Sequence, residues 1–382
     1  MKSGKSIIEL AQQIQDIKDN SRDFIVPTAK LSMTIETDRE EVVRQAGLPP
    51  EQKSNKIFKP VLEFKNGDDE RFALNSHSSR QLATYTGIPQ AYYDKIQDEN
   101  PNLLASNVNH GLRMQSQQEK RGKIESRMLR TYRGSLRGFV SSSYRRLDCF
   151  DLLETVFPII NDNGFEVIST ELTEQRMYLQ VHTPRISAEV KKGDVVQYGM
   201  TISSSDVGAG SVRVEPLIVR LICLNGATFT SSIKKMHVGR NQAGDDIQEL
   251  LSENTKNLSD AAFWSEVRDV VIGTMQQDFF KKQVEKLQFA ATDEIKNFNI
   301  PEVVELASKH LGITNNNVRN SVVSYLANGA DGAGLTRWGL SNAFTFAANQ
   351  DFVSYDDSVE LQRSGSRILD LTSNQWRQIS AE

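Results

Sequence analysis

The hydrophobic pattern of this chain changes near residue 245, and that change constrains the possible folds more than any other feature. Before it, apolar and polar residues alternate in short runs, which predicts strands at "FEVISTEL", "QRMYLQVHT", "VVQYGMTISSS" and "SVRVEPLIVRLICL". After it, from "DIQELLSENTKNLSDAAFW" onward, the apolar period is helical. This order predicts an α+β fold with a central antiparallel sheet arranged as a meander, flanking helices and an acidic, all-helical C-terminal region.

The part before this sheet mixes helices and strands. Apolar residues recur at helical spacing from Ile7 to Ile17 with Ser6 as a candidate N-cap, and "IFKPVLEFKNGDDERFALN" predicts a hairpin turning at Asn66-Gly67. The length of 382 residues fits two or three domains. We expect a mixed α/β region over 1–110, a basic antiparallel β core with one long helix over 111–240, and an acidic helical region over 241–382.

Charge is distributed unevenly along the chain. The formal net charge is −4, yet residues 111–147 contain ten lysines and arginines and two acids, a local charge of +8. The remainder therefore carries −12, of which −8 falls in residues 241–382 with 20 acids and 12 lysines and arginines. Such asymmetry predicts an anionic partner for one surface of the protein.

The basic segment "RMLRTYRGSLRGFVSSSYRRLDCF" predicts two strands that turn near Arg133-Gly134-Ser135, followed by a helix with Asp148 at its N-cap. Arginines fall on both faces of this ribbon, so we expect it to be exposed. Guanidinium groups pair with phosphate, and aromatic rings stack on bases. The predicted nucleic-acid-binding residues are Arg113, Lys120, Arg121, Lys123, Arg127, Arg130, Tyr132, Arg133, Arg137, Phe139, Tyr144, Arg145 and Arg146.

Other readings of the same charges stay open. The arginines would have a purely structural role if they paired with the protein's own acids, since exposed ion pairs are common and weak. The acidic helices could instead form a protein-interaction module that modulates host machinery. A third alternative is a metal-dependent enzyme acting on nucleotides or nucleic acid, which would need clustered carboxylates.

Motifs for catalysis or for metal and cofactor binding are not evident. Two cysteines and five scattered histidines lack the spacing of a metal site, and no G-x-S-x-G motif occurs. The glycines of "ISSSDVGAGSVRVEPL" lack the lysine and the following helix of a phosphate-binding loop, so this segment predicts a hairpin turn. We expect a non-catalytic protein with no metal and no cofactor.

Hydropathy and the N-terminus bear on location. No stretch approaches the length of a membrane-spanning helix, and the first residues are too polar for the apolar core of a signal peptide. We expect a soluble cytoplasmic protein that has no membrane partner.

Three segments together resemble a known family: "LRTYRGSLRGFVSSSYRRLDCFDLL", "ISSSDVGAGSVRVEPLIVRLICLNG" and "TRWGLSNAFTFAAN". They are similar to the phage- and plasmid-encoded proteins grouped as domain of unknown function 932, over about Asp23 to Leu371. The family tends toward Asn-Ser-Glu where Ser203–Asp206 stand here. The resemblance implies a mobile-element origin, a bacterial host cell and no established activity. With the basic ribbon, it leads us to expect single-stranded DNA binding or annealing in replication or recombination, with self-association into a homo-oligomer.

Overall fold

The computed structural model describes residues 2–38, 42–44, 46, 57–117, 124–222, 225–229, 251–275, 277–329, 332 and 334–381. The described residues contain two β-sheets and a C-terminal region that is entirely helical. The predicted α+β fold class is therefore confirmed.

The first sheet contains six of the described strands: β1 (Ser21–Pro27), β2 (Ser32–Thr37), β3 (Phe58–Asn66), β4 (Asp68–Leu74), β5 (Ser126–Tyr132) and β6 (Ser135–Ser141). Their order is β1-β5-β6-β4-β3-β2, and all neighbours are antiparallel except β4 and β6. Three helices pack on it: α2 (Ser76–Thr86), α3 (Gln90–Glu99) and α4 (Pro101–Ser116). Strands from both sides of residue 110 thus share one sheet.

The second sheet contains β7 (Glu166–Leu172), β8 (Met177–Lys191), β9 (Asp194–Ser204), β10 (Arg213–Arg220) and β11 (Asn225–Thr228). These strands follow one another as an antiparallel meander, as predicted. The dipeptide Asn225-Gly226 is of the kind that favours a tight turn, so the sequence predicts one there. This prediction is wrong, because both residues lie within β11 and pair with Arg220 and Val219.

Four helices bury the apolar face of the second sheet: α1 (Ile7–Asn20), α5 (Cys149–Asp162), α6 (Glu253–Thr274) and α7 (Gln277–Thr292). The sequence-predicted start of α1 is confirmed, since Ser6 and Glu9 form a capping box. Leu10, Val156 and Val267 are fully buried in the shared core. Burial of such side chains contributes about 2 kcal/mol each, which fixes α5 on the sheet.

The C-terminal helices are α8 (Ile300–Leu311), α9 (Asn316–Ala327), α10 (Arg337–Ala347), α11 (Tyr355–Leu369) and α12 (Ser373–Ser380), and they have a core of their own. The small residues of α10, such as Gly339 and Ala343, predict tight packing against another element. This prediction is confirmed, because a Cβ at Gly365 of α11 would lie 2.5 Å from Thr345. A buried polar contact attaches this region to the second sheet, because Trp338 Nε1 donates to Asp194 Oδ2 at 3.0 Å. Within the sheet, the same carboxylate pairs with Arg220, with an Nε–Oδ1 distance of 2.6 Å.

None of the helices in the described ranges combines the length and the apolar character that crossing a lipid bilayer requires.

Candidate nucleic-acid interface

The basic ribbon is the β5–β6 hairpin, and it turns where the sequence predicts. Arg133 and Gly134 both have positive φ, at 45° and 77°. The register shifts by one residue, because Arg130 pairs with Gly138 and the next residue, Thr131, pairs with Leu136. Arg137 is therefore the extra residue of a β-bulge, a feature that redirects side chains out of the regular alternation.

Arg130 is buried, with 6% of its surface exposed, so the prediction that the ribbon faces outward is wrong at this residue. Its Nη1 and Nη2 donate to the two carboxylate oxygens of Asp148 at 2.7 and 3.1 Å, and its Nε donates to Asp23 at 3.1 Å. Burial alone would lower the pKa of Arg130, but Asp148 and then Asp23 outweigh it and raise the pKa above its ordinary value.

The contacts of Arg130 belong to a larger cluster, which we call the charged junction. Its six residues are Asp23, Arg130, Arg137, Arg146, Asp148 and Asp206. Three guanidinium groups face three carboxylates, so the formal charges cancel. Asp206 follows β9, and the junction therefore ties the first sheet to the second sheet and to the start of α5. A cavity of about 280 Å³ lies beside it.

Asp206 connects the junction to the backbone of α5. Its Oδ1 accepts from the backbone N–H of Cys149 at 2.7 Å, and its Oδ2 lies 3.1 Å from Nη2 of Arg137. Burial, and then the charge of Asp206, raise the pKa of the Cys149 thiol well above its ordinary value. This cysteine is therefore an uncharged core residue, not a reactive thiolate.

The remaining described arginines of the prediction are also paired, with one exception. Arg127 lies 3.6 Å from Glu125 and 4.0 Å from the ring centroid of Tyr85. Acids far away in sequence bind the others: Arg133 pairs with Asp16, and Arg145 pairs with Asp260 of α6 at 2.5 Å. Within the described ranges, Arg113 alone among these arginines has no carboxylate partner. Lys120, Arg121 and Lys123 lie outside the described residues.

The three predicted stacking rings occupy different environments. Phe139 is buried in the core of the first sheet, 5.3 Å from the ring of Tyr85, so its predicted role in base stacking is wrong. Tyr132 is half-buried and donates its hydroxyl to Asp16, which raises the pKa of the tyrosine. Tyr144 donates its hydroxyl to the carbonyl of Ser205 at 3.0 Å, and burial raises its pKa to about 12.

Two surface grooves meet at Tyr144 and Arg145, and both side chains line each groove. The outer groove, about 770 Å³, lies between the β1–β5 edge and the start of α6, and Ile25, Arg146 and Lys256 line it. The inner groove, about 700 Å³, lies between β6 and the β9–β10 loop. Of the predicted cations, Arg145 and Arg146 line the outer groove, and Arg146 is the more exposed of the two, at 52% against 19% of its side chain.

The carboxylates that neutralise the ribbon are the residues that the sequence reasoning missed. Asp16, Asp23, Asp206 and Asp260 lie 69 to 123 residues away from their partners, so no local motif indicates them. Asp148 was predicted as the N-cap of α5 and occupies that position, but its side chain makes no capping bond. Within the described residues, no group of three His, Cys, Asp or Glu side chains is arranged to hold a metal ion.

Comparison of the chain with protein-family models, with curated proteins and with solved structures found no match.

Proposed function

We propose that this protein binds single-stranded nucleic acid without a chemical step, along the segment 141–146 and the two grooves beside it. The observation that carries the proposal is the position of Tyr144 and Arg145, which border both the outer and the inner groove. A ring and a guanidinium at the meeting point of two grooves provide stacking and phosphate contact together. Ser141 and Ser143, whose hydroxyls are 3.3 Å apart, add donors of the kind that contact phosphate.

The interface in this proposal is smaller than the one predicted from sequence. Arg146 keeps 52% of its side chain exposed, although its Nε lies 3.2 Å from Asp23. Ion pairs at such exposure contribute about 0–1 kcal/mol, so a phosphate can replace the carboxylate at little cost. Arg130 and Phe139 are excluded from contact by burial.

An oligonucleotide titration tests the proposal. Among the described residues, three cations line the outer groove, Arg145, Arg146 and Lys256, so we expect about three phosphate contacts there and a slope of roughly −2 in a plot of log affinity against log salt. Arg146→Gln should weaken binding of a fluorescein-labelled oligothymidylate and lower the magnitude of the slope by about 0.7. The matched control is Arg71→Gln, an exposed arginine of β4 that pairs with Glu36 and Glu63 and does not line either groove. Absence of binding at low salt, or equal losses in both variants, would contradict the proposal.

The origin and the assembly state belong to the same proposal. The resemblance to domain of unknown function 932 supports a phage or plasmid gene acting in the bacterial cytoplasm, in replication or recombination. Strand annealing uses rings or filaments in many systems, so self-association goes with this function. Sedimentation of the protein with and without oligonucleotide measures it directly.

A second candidate is docking to another protein through the acidic helical region. The supporting observation is apolar exposure within that acidic surface: Phe289 of α7 is 66% exposed, and Phe298 is 79% exposed. Phe289→Ser and Phe298→Ser should abolish such docking and leave oligonucleotide affinity unchanged. Self-association that persists in the double variant would argue against this surface as an interface between copies.

A further inference from the structure

The loop between β9 and β10 forms one wall of the inner groove and is held in a fixed shape. Arg176, which immediately precedes β8, donates to two of its carbonyls, from Nη1 to Ala209 at 2.9 Å and from Nη2 to Ser211 at 2.8 Å. On the other side, Gln81 Nε2 donates to the carbonyl of Val207 at 2.7 Å. A loop fixed from both sides presents its groups in one arrangement, which favours ligand binding.

Glycine makes this arrangement possible at one point in particular. Gly208 has φ of 80°, and a Cβ there would lie 2.8 Å from Val140 of β6. Only a residue without a side chain allows the loop to approach β6 so closely. The predicted hairpin turn is confirmed, because Arg213 pairs with Ser203 across it.

Two guanidinium groups at this loop have no acidic counterpart within the described residues. Arg176 contacts backbone carbonyls, and no described carboxylate lies within 4 Å of it. The Nε of Arg213 is buried without a hydrogen-bond acceptor, and no described acid pairs with this side chain. Burial, together with the neighbouring charges of Arg213 and Arg363, lowers the pKa of Arg176. Arg363 is itself neutralised by Glu215 at 2.6 Å.

This arrangement contrasts with the charged junction, where every guanidinium faces a carboxylate. Unpaired cations near one another in a partly buried position are unfavourable unless an anion joins them. Arg213 lines the inner groove beside Ser204, Ser205 and Ser211, and Arg145 borders the same space. One nitrogen of Arg145, Nη2, is also buried without an acceptor.

We propose that the inner groove at the β9–β10 loop is a binding site for a phosphate group, held by Arg213 and the serines of the loop, with Arg176 supplying positive charge behind the loop. The planar fork of arginine matches the oxygens of phosphate, and serine hydroxyls complete such sites. Arg213 is the first residue of strand β10, so the site differs from a phosphate loop at a helix N-terminus. The inner groove is one of the two grooves of the proposed function, but this site does not depend on that function, since one phosphate group requires no polynucleotide.

Calorimetric titration of the full chain with inorganic phosphate and with pyrophosphate tests the site. We expect saturable binding at millimolar phosphate or below, and a loss of at least tenfold in Arg213→Gln. The control is Arg185→Gln, an exposed arginine of β8 that does not line the groove, and it should bind as the parent protein does. Arg213→Lys keeps the charge without the fork, and a partial loss is expected.

Two further measurements make the outcome decisive. Thermal unfolding with and without phosphate reports binding even if Arg213→Gln is less stable, because a ligand of the folded state raises the unfolding temperature. The oligonucleotide affinity of Arg213→Gln distinguishes two sources of the phosphate. A loss of affinity shows that the site binds a phosphate of nucleic acid, whereas unchanged affinity assigns the site to a small phosphorylated molecule. Absence of phosphate binding by the parent protein, or undiminished binding by Arg213→Gln, overturns the proposal whether or not the protein binds oligonucleotides.

Discussion

Asp148 occupies the N-cap position of α5, yet its carboxylate binds the guanidinium of Arg130 instead of the backbone N–H groups of the helix. The carboxylate of Asp206, and not that of Asp148, accepts the hydrogen bond from the backbone N–H of Cys149. The start of this helix is therefore fixed by an acid from a strand end of the second sheet.

Arg130→Met is expected to destabilise the protein by about 3–5 kcal/mol, because half-buried Asp148 would lose its cation and Asp23 would keep only Arg146. The measurement is urea unfolding followed by circular dichroism. Arg22→Met is the control, since Arg22 is exposed, pairs with Glu70 among the described acids and otherwise lies over the ring of Phe24, and its loss should cost less than about 1 kcal/mol. Similar unfolding midpoints for the two variants would show that the junction contributes nothing to stability.

Replacing Phe139 by alanine should cost about 3–5 kcal/mol, because the ring is buried against Tyr85. Phe139→Leu keeps most of the buried volume and should cost about 1 kcal/mol. At a temperature where the leucine variant is folded, its oligonucleotide affinity should equal that of the parent. A clear affinity loss in that folded variant would restore a binding role for the ring.

Gly208→Ala and Gly193→Ala form a matched pair, since both residues have φ near 80°. A Cβ at Gly193 meets no atom within 4 Å, so backbone strain alone should cost about 1–2 kcal/mol. A Cβ at Gly208 would in addition collide with Val140, at a further cost of about 1–3 kcal/mol. Denaturant unfolding measures the difference, and equal losses would mean that the loop can retreat from β6.

Stability should depend on pH through His77 of α2, which is buried and shares a 3.0 Å hydrogen bond between its Nε2 and the carbonyl of Val207. Burial lowers the pKa of His77 below its ordinary value of 6.5. The unfolded chain therefore binds a proton that the folded protein does not, and the free energy of unfolding falls as pH drops below about 6.5.

The matching measurement is urea unfolding at pH 7.5 and 5.5. The parent should lose about 1 kcal/mol more than His77→Gln over this interval, because glutamine retains a donor and does not titrate. His110→Gln, at an exposed position of α4, should behave as the parent does. A parent-like pH dependence in His77→Gln would exclude His77 as the cause.

Asp260→Asn should increase oligonucleotide affinity severalfold, because it removes the carboxylate that pairs with Arg145. Asp370→Asn makes the same change in net charge at another half-exposed pair, with Lys286, and controls for long-range effects. The comparison is made by fluorescence anisotropy at low salt. Equal gains in the two variants would show that only net charge matters.

Local signals predicted much of the fold. Alternating apolar residues identified the meander from β7 to β10, and Arg133-Gly134 identified the turn of the ribbon. Both signals are local, because the period of a strand and the preference for a turn depend on neighbouring residues. The prediction of a turn at Asn225-Gly226 was wrong because it too considered only neighbouring residues. That dipeptide favours a turn in isolation, but pairing with Arg220 and Val219 outweighs the preference.

The candidate site was harder to predict, because exposure is decided by distant residues. Counting charges over 111–147 makes Arg130 and Arg137 look unpaired, because their partners Asp23 and Asp206 lie outside that segment. Likewise, the alternation within β6 shows that Phe139 faces one side of the strand, but it does not show that α2 covers that side.

The pairing of β1 with β5 has a consequence during synthesis on the ribosome. Ser21 lies opposite Tyr132, so the first strand leaves the exit tunnel long before its neighbour is translated. Until then β1 offers unbonded backbone groups, and strands in that state are prone to join other chains. Translation pauses before residue 132 should therefore favour aggregation of the nascent chain, and folding of the first sheet should be slow because its closing contacts are distant in sequence.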